Sequence, residues 1–191
     1  MTPSRGRPRD PHTDELITDA TLALLRERGP SAIHIDTVAA RSGVARTTIY
    51  RRYRDREALI DAALALLSNA PFPTAELPLE DKLRWELEQV RNLVERQLGR
   101  GAIAAVLADS DPAFSKSLRR LLVGRLKALQ HEIEADAAAG RLREGIDPES
   151  LANLLFGAYL GELLRHGRAR PSWARNTLDL LLRGLRGPQR S

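Results

Sequence analysis

The chain has 191 residues, of which 42% are apolar and 29% charged, the composition of a folded globular protein rather than a disordered one. It contains no cysteine, which excludes disulfide staples, thiol catalysis and thiolate metal sites and fits a reducing cytosol. The net charge of +5 is unevenly placed: six arginines fall between Arg41 and Arg56 against one acid, Asp55, while residues 58–191 carry 19 basic and 17 acidic side chains. No apolar face accompanies that basic surplus, so it suits a phosphate backbone better than a membrane surface.

Taken in chain order, every extended segment reads as helix, because apolar residues recur at three- and four-residue spacing and β-branched runs are absent. The first helix spans Asp14 to Arg28, with Leu16, Ile17, Ala20, Leu24 and Leu25 on one stripe, and Gly29-Pro30 stops it. Short helices follow over Asp36–Ser42 and Arg46–Arg52, separated by Gly43. Asp55 caps a fourth helix reaching Ser68. Three prolines between Pro71 and Pro78 mark a linker. Beyond it come helices over Glu80–Leu98, Ala102–Ala108 and Pro112–Ala139, then Pro148–His166 and Trp173–Leu185. Asp111-Pro112 and Asp147-Pro148 open two of them, proline being favoured where its missing N–H is no loss. The expectation is an all-α chain of about nine helices. Met1–Asp10 lacks the apolar stretch of a secretory leader. Leu151–Leu164 is too short to cross a bilayer. A cytoplasmic protein with no membrane partner is expected.

The informative segment is Thr37-Val-Ala-Ala-Arg-Ser-Gly-Val-Ala-Arg-Thr-Thr-Ile-Tyr-Arg-Arg-Tyr53. Val38 and Ala39 face inward on the first short helix, Gly43 supplies the positive φ of a tight turn, and Val44 plugs it. Ile49 and Tyr53 anchor the second short helix at i, i+4 spacing. Arg46, Thr47, Thr48, Tyr50, Arg51 and Arg52 are then left facing outward, where they can donate to bases and phosphates. The arm Arg5-Gly-Arg-Pro-Arg9 resembles the core of an AT-hook. It is either a minor-groove insert through Arg5 and Arg7 or a solubilising tail.

Gly43-Val-Ala-Arg-Thr-Thr-Ile-Tyr-Arg-Arg-Tyr-Arg-Asp-Arg-Glu-Ala-Leu59 resembles the recognition-helix signature of the tetracycline-repressor family of transcriptional regulators. The resemblance implies an arm over 1–12, a three-helix helix-turn-helix domain over 13–56, and a ligand-binding and dimerisation domain over 57–187. It also implies a repressor that leaves its double-stranded operator when a small-molecule effector binds. By the same resemblance Thr47, Thr48 and Tyr50 touch bases or grooves, and Arg46, Arg51, Arg52 and Arg56 donate to phosphates or bases. His34 and Ala45 stand where the family often has threonine and serine caps, each loss worth about 1 kcal/mol.

The helix over 150–165 is apolar nearly all round, so it needs cover on two sides. Leu154, Gly157, Ala158 and Gly161, with Leu178, Leu181, Leu182 and Leu185 of the last helix, suggest a symmetric four-helix homodimer interface. A ligand cavity among the C-terminal helices would draw on Trp85, Leu87, Val94, Leu118, Leu121, Leu122, Arg125, Phe156 and Tyr159, fewer than half of which should touch a ligand. Its aliphatic character suits an apolar or amphipathic effector. Glu162 is either a ligand partner or an interface carboxylate paired across the dimer. His12, His34, His131 and His166 lack metal-type spacing, and no phosphate or dinucleotide glycine motif occurs. No enzyme, metal or cofactor is expected.

Overall fold

Asp-Pro pairs open three helices, one more than expected. In the computed structural model, which describes residues 10–69, 77–143 and 145–185, α1 runs Pro11–Arg28 rather than starting at Asp14. The Asp10 carboxylate accepts from the His12 N–H at 3.1 Å and the Thr13 hydroxyl at 2.8 Å, and Pro11 needs no acceptor. The helix therefore starts inside the stretch 1–12 read as an arm; Arg5 and Arg7 lie outside the described residues. The remaining helices are α2 (Ile35–Ser42), α3 (Arg46–Arg52), α4 (Arg56–Ala65), α5 (Leu79–Asn92), α6 (Arg100–Leu107), α7 (Pro112–Ala138), α8 (Pro148–His166) and α9 (Trp173–Leu185). There is no strand among the described residues. Two ends depart from expectation. α4 tightens into a 3₁₀ turn over Leu66–Asn69, and α5 widens into a π-helical turn over Leu93–Leu98 that buries Leu93, Val94 and Leu98 together.

The chain forms two compact units. One comprises residues up to 66 together with 98–117, and the other comprises 67–97 and 118–191. The first is larger than the 13–56 segment, because α4 and α6 both pack on α1 and close its core. Ile17, Leu24, Leu25, Ile33, Val38, Ile49, Leu59 and Ile60 are all buried there. α6 approaches α1 backbone to backbone: a Cβ at Gly99 (φ +79°) would fall 2.5 Å from the Arg26 carbonyl oxygen. Only glycine allows that contact.

In the second unit α8 and α9 pack on α5. Tyr159 is fully buried, meets the Trp173 ring edge-on at 5.5 Å, and donates its hydroxyl to Glu95 at 2.9 Å. Glu162, read as either a ligand partner or an interface carboxylate, has its carboxylate held within the chain by the Arg170 guanidinium at 2.5 Å and the Arg170 N–H at 3.1 Å. The charged centre of the unit is Lys82, only 5% exposed. Its ammonium donates to Asp136 at 2.9 Å and Glu132 at 3.1 Å. Asp136, 2% exposed, also accepts from Arg141 at 2.6 Å, which pins the turn after α7.

Removing one member of a buried ion network leaves the others uncompensated, whereas removing the pair together is much milder. Asp136→Ala should therefore lower the unfolding free energy by about 3 kcal/mol, read as a fall in the urea midpoint. The double variant Lys82→Met/Asp136→Leu should recover most of that loss.

Candidate functional site

The turn between α2 and α3 is set by Gly43, which sits in the left-handed region (φ 72°) and donates its N–H to the Ala39 carbonyl at 3.0 Å. The missing threonine at position 34 is replaced from within the helix. The His34 N–H donates to Thr37 Oγ1 at 3.0 Å, and the Thr37 hydroxyl donates to the Ala32 carbonyl at 2.7 Å. Ala45 offers no side-chain cap. Ile49 is fully buried and Tyr53 nearly so, which fixes the rotation of α3.

That rotation sorts the arginines. Arg41 forks onto Glu27 of α1 at 2.6 and 2.7 Å, Arg46 pairs with Asp36 of α2 at 2.7 Å, and Arg54 pairs with Asp55 at 2.9 Å. Arg52 is a correction to the outward reading. It lies three residues after Ile49, its side chain is 8% exposed, and it pairs with Asp14 of α1 at 2.8 Å while donating to the Asp10 carbonyl at 3.2 Å. Arg56 is a second correction. Its Nε donates to the Ile33 carbonyl at 2.7 Å, and Nη2 donates to the Pro30 carbonyl and to Asp111, both at 2.6 Å. Both donors are turned into the unit and leave a phosphate little to meet. Arg51 is exposed and has no partner among the described residues. Thr47 is exposed, Thr48 half-buried, and Tyr50 is 58% exposed. The outward surface of α3 is thus Arg46, Thr47, Tyr50 and Arg51, with Thr48 at its edge.

The second unit presents two further features. On α8, Leu154 and Leu164 are 58% and 83% exposed, and open space lies beside Gly157 and Gly161. Ala158 is half-buried. On α9 the same apolar exposure falls on Leu180, with Leu181 half-buried. Leu178 and Leu182 are corrected: they are one turn apart and buried, on the face by which α9 packs against α5 and α8. The Leu185 side chain lies outside the described residues.

The other feature is a cavity of about 580 Å³ bounded by α5, α7 and α8. Of the anticipated lining, Trp85, Leu122, Arg125 and Phe156 border it. Leu87, Val94, Leu118, Leu121 and Tyr159 do not, since each is buried in packing. Reasoning from the sequence missed Glu86, Gln89 and Asn153, which also line the cavity. Glu86 had a visible signal: it stands on the stripe Leu79, Leu83, Val90 and Leu93, a carboxylate among apolar positions. Burial pushes its carboxyl up to about 7, with the Arg125 charge pulling the other way.

Residues 17–66 match the family described as bacterial regulatory proteins, tetR family. Over 99% of its length the chain is 30% identical to the HTH-type transcriptional regulator YdeS of Bacillus subtilis, covering 96% of that protein. Among solved structures, reduced NemR of E. coli superposes with a TM-score of 0.72 at 18% identity, over 93% of this chain and 100% of that one. The regulator SCO0520 of Streptomyces coelicolor is 30% identical with a TM-score of 0.54, over 92% and 99% of the two chains. Among the described residues no helix is long and apolar enough to cross a membrane.

The sorting of the arginines has a measurable consequence for duplex DNA. Arg51→Ala should flatten the dependence of log affinity on log salt by about one unit, the signature of one lost phosphate contact. Arg52→Ala should instead leave that slope unchanged and lower the thermal midpoint, because it removes the pair between α3 and Asp14 of α1.

Proposed function

Because the chain belongs to the tetR family of bacterial regulatory proteins, we propose that it is a cytoplasmic homodimeric repressor that a small-molecule effector releases from its operator. The chain is a transcriptional regulator with a helix-turn-helix; its relatives are regulators rather than enzymes. The observation that supports the reading best is the face of α3. Its arginines are sorted into those that brace the motif and one, Arg51, that stands beside the outward Thr47 and Tyr50. A hydroxyl, a threonine methyl and a guanidinium on one short helix are the groups that read base edges and phosphates in a major groove.

Dimerisation is assigned to α8 and α9 through Leu154, Gly157, Ala158, Gly161 and Leu181, with Leu164 and Leu180 added. A run of exposed leucines beside two helical glycines favours close approach of a second helix, and a two-fold axis would bury it on both chains at once. Two recognition helices then enter successive major grooves only if they lie about 34–36 Å apart, or a whole number of helical turns. Effector binding in the cavity loosens the operator only insofar as the effector prefers the dimer that cannot make that spacing.

Selection of the full-length protein on random duplexes should enrich a palindrome whose half-sites are one helical turn apart, or a multiple of it. Enrichment of no sequence, or of a single undivided site, would overturn the reading. Gly157→Glu should sediment as a monomer and lose at least tenfold in affinity for the selected site, because an unpaired charge would be placed in the interface.

A further inference from the structure

Among the described residues, the cavity of the second unit is bordered by a buried carboxylate that the protein leaves without a hydrogen bond. Glu86 of α5 borders the cavity, and neither of its carboxylate oxygens has a hydrogen-bond partner among the described residues, Oε1 being sealed from solvent as well. The nearest counter-charge does not reach it. Arg125 of α7 is half-buried and directs Nη2 to the Leu67 carbonyl at 2.7 Å. Lys82, one turn back on α5, is held by Glu132 and Asp136 of α7 at 3.1 and 2.9 Å. These three border a small void with Glu86 and supply it with no hydrogen bond. Among the described residues that border the cavity, α8 adds one ionisable group, Glu149, and α7 one more, Arg119, both exposed. Trp85, Leu122 and Phe156 line the same cavity with apolar and aromatic surface.

A buried acceptor without a donor is unfavourable, and the loss is recovered by any ligand that brings the donor. A neutral hydroxyl would give the carboxylate one donor. An ammonium would satisfy it with a charge-assisted hydrogen bond about twice as strong, and the aromatic faces nearby add attraction for a cation. An anion seated on Arg125 would leave the Glu86 carboxylate unanswered and bring a second negative charge beside the first. We infer that the cavity takes an amphipathic amine, its ammonium on the Glu86 carboxylate and its apolar body against Trp85, Leu122 and Phe156. The inference deepens the reading of this cavity as the effector site and rests on it.

The chemistry requires a proton to move. With its carboxyl raised to about 7 by burial, Glu86 is largely protonated below that pH, so binding an ammonium there must release that proton. Amine affinity should accordingly climb by about tenfold per pH unit below 7 and level off above it.

Three probes with one apolar body separate the possibilities: n-octylammonium, n-octanol and n-octanoate, titrated calorimetrically into the full-length protein at pH 7.5. The amine should bind at least tenfold more tightly than the alcohol, and octanoate most weakly. Glu86→Gln, which keeps size and shape, should reduce amine affinity at least tenfold, abolish its pH dependence and leave octanol binding as it was. Unchanged octanol binding also shows that the variant is folded. Equal binding of amine and alcohol, tighter binding of octanoate, or an amine affinity indifferent to Glu86→Gln would each overturn the inference while leaving an effector cavity standing. Binding of none of the three would overturn both.

Discussion

The Arg56 guanidinium gathers three separate parts of the chain. It sits at the first position of α4, reaches the Pro30 and Ile33 carbonyls in the loop between α1 and α2, and pairs with Asp111, 55 residues away at the start of α7. The Pro30 carbonyl already accepts from the Ile33 N–H at 3.0 Å in a single 3₁₀ turn, and a planar fork of donors suits such a cluster of acceptors better than an ammonium would. Burial works to raise the Asp111 carboxyl, but the Arg56 guanidinium and the Phe114 N–H outweigh it, so it lies below the usual carboxylate range. The Asp111 contribution to stability is thus present at neutral pH and lost as the pH falls through that lowered value. The helix-turn-helix is seated by this contact: α2 and α3 follow directly from the loop that Arg56 holds.

A basic surplus in a sequence invites a reading in which every cation faces a phosphate. Here Arg52 and Arg56 are turned into the folded unit, and Arg41 and Arg46 make pairs on its surface. Each of the four bridges one element of the unit to another, the exposed pairs contributing less than the inward ones. The outward face of α3 is therefore more mixed in chemistry than the charge count implies, with hydroxyl and aromatic groups beside Arg51, which has no partner among the described residues. A surface of that kind reads sequence through geometry rather than through charge alone.

Much of the architecture was legible because its signals are local. Gly43 announces the tight turn, Asp111-Pro112 and Asp147-Pro148 announce helix starts, and the three- and four-residue spacing of leucines announces the rest. The same local logic would have placed α1 at Pro11, since Asp10-Pro11 is the third instance of the pair. Arg52 was also readable, three residues after the buried Ile49 and so on its face. The partners of Arg56 and Lys82 were not, because Asp111 and Asp136 lie 55 and 54 residues away and no periodicity connects them. The burial of Leu178 and Leu182, rather than their exposure at an interface, depends on how α9 rotates against α5, which a stripe of four leucines leaves open. Glu86 lay in plain view as a carboxylate on an apolar stripe, and only the cavity beside it shows that it is unanswered.

The claim that Arg56 braces the reading head, rather than touching DNA, is tested most directly by a double-mutant cycle between Arg56 and Asp111. Arg56→Ala, Asp111→Ala and the double variant would be measured for unfolding free energy and for the salt dependence of operator binding. The account predicts a coupling energy of about 1–2 kcal/mol in stability and a salt slope unchanged from the wild type in all three. Additive effects on stability, together with a slope reduced by about one unit in Arg56→Ala alone, would place Arg56 on the phosphate backbone and contradict it.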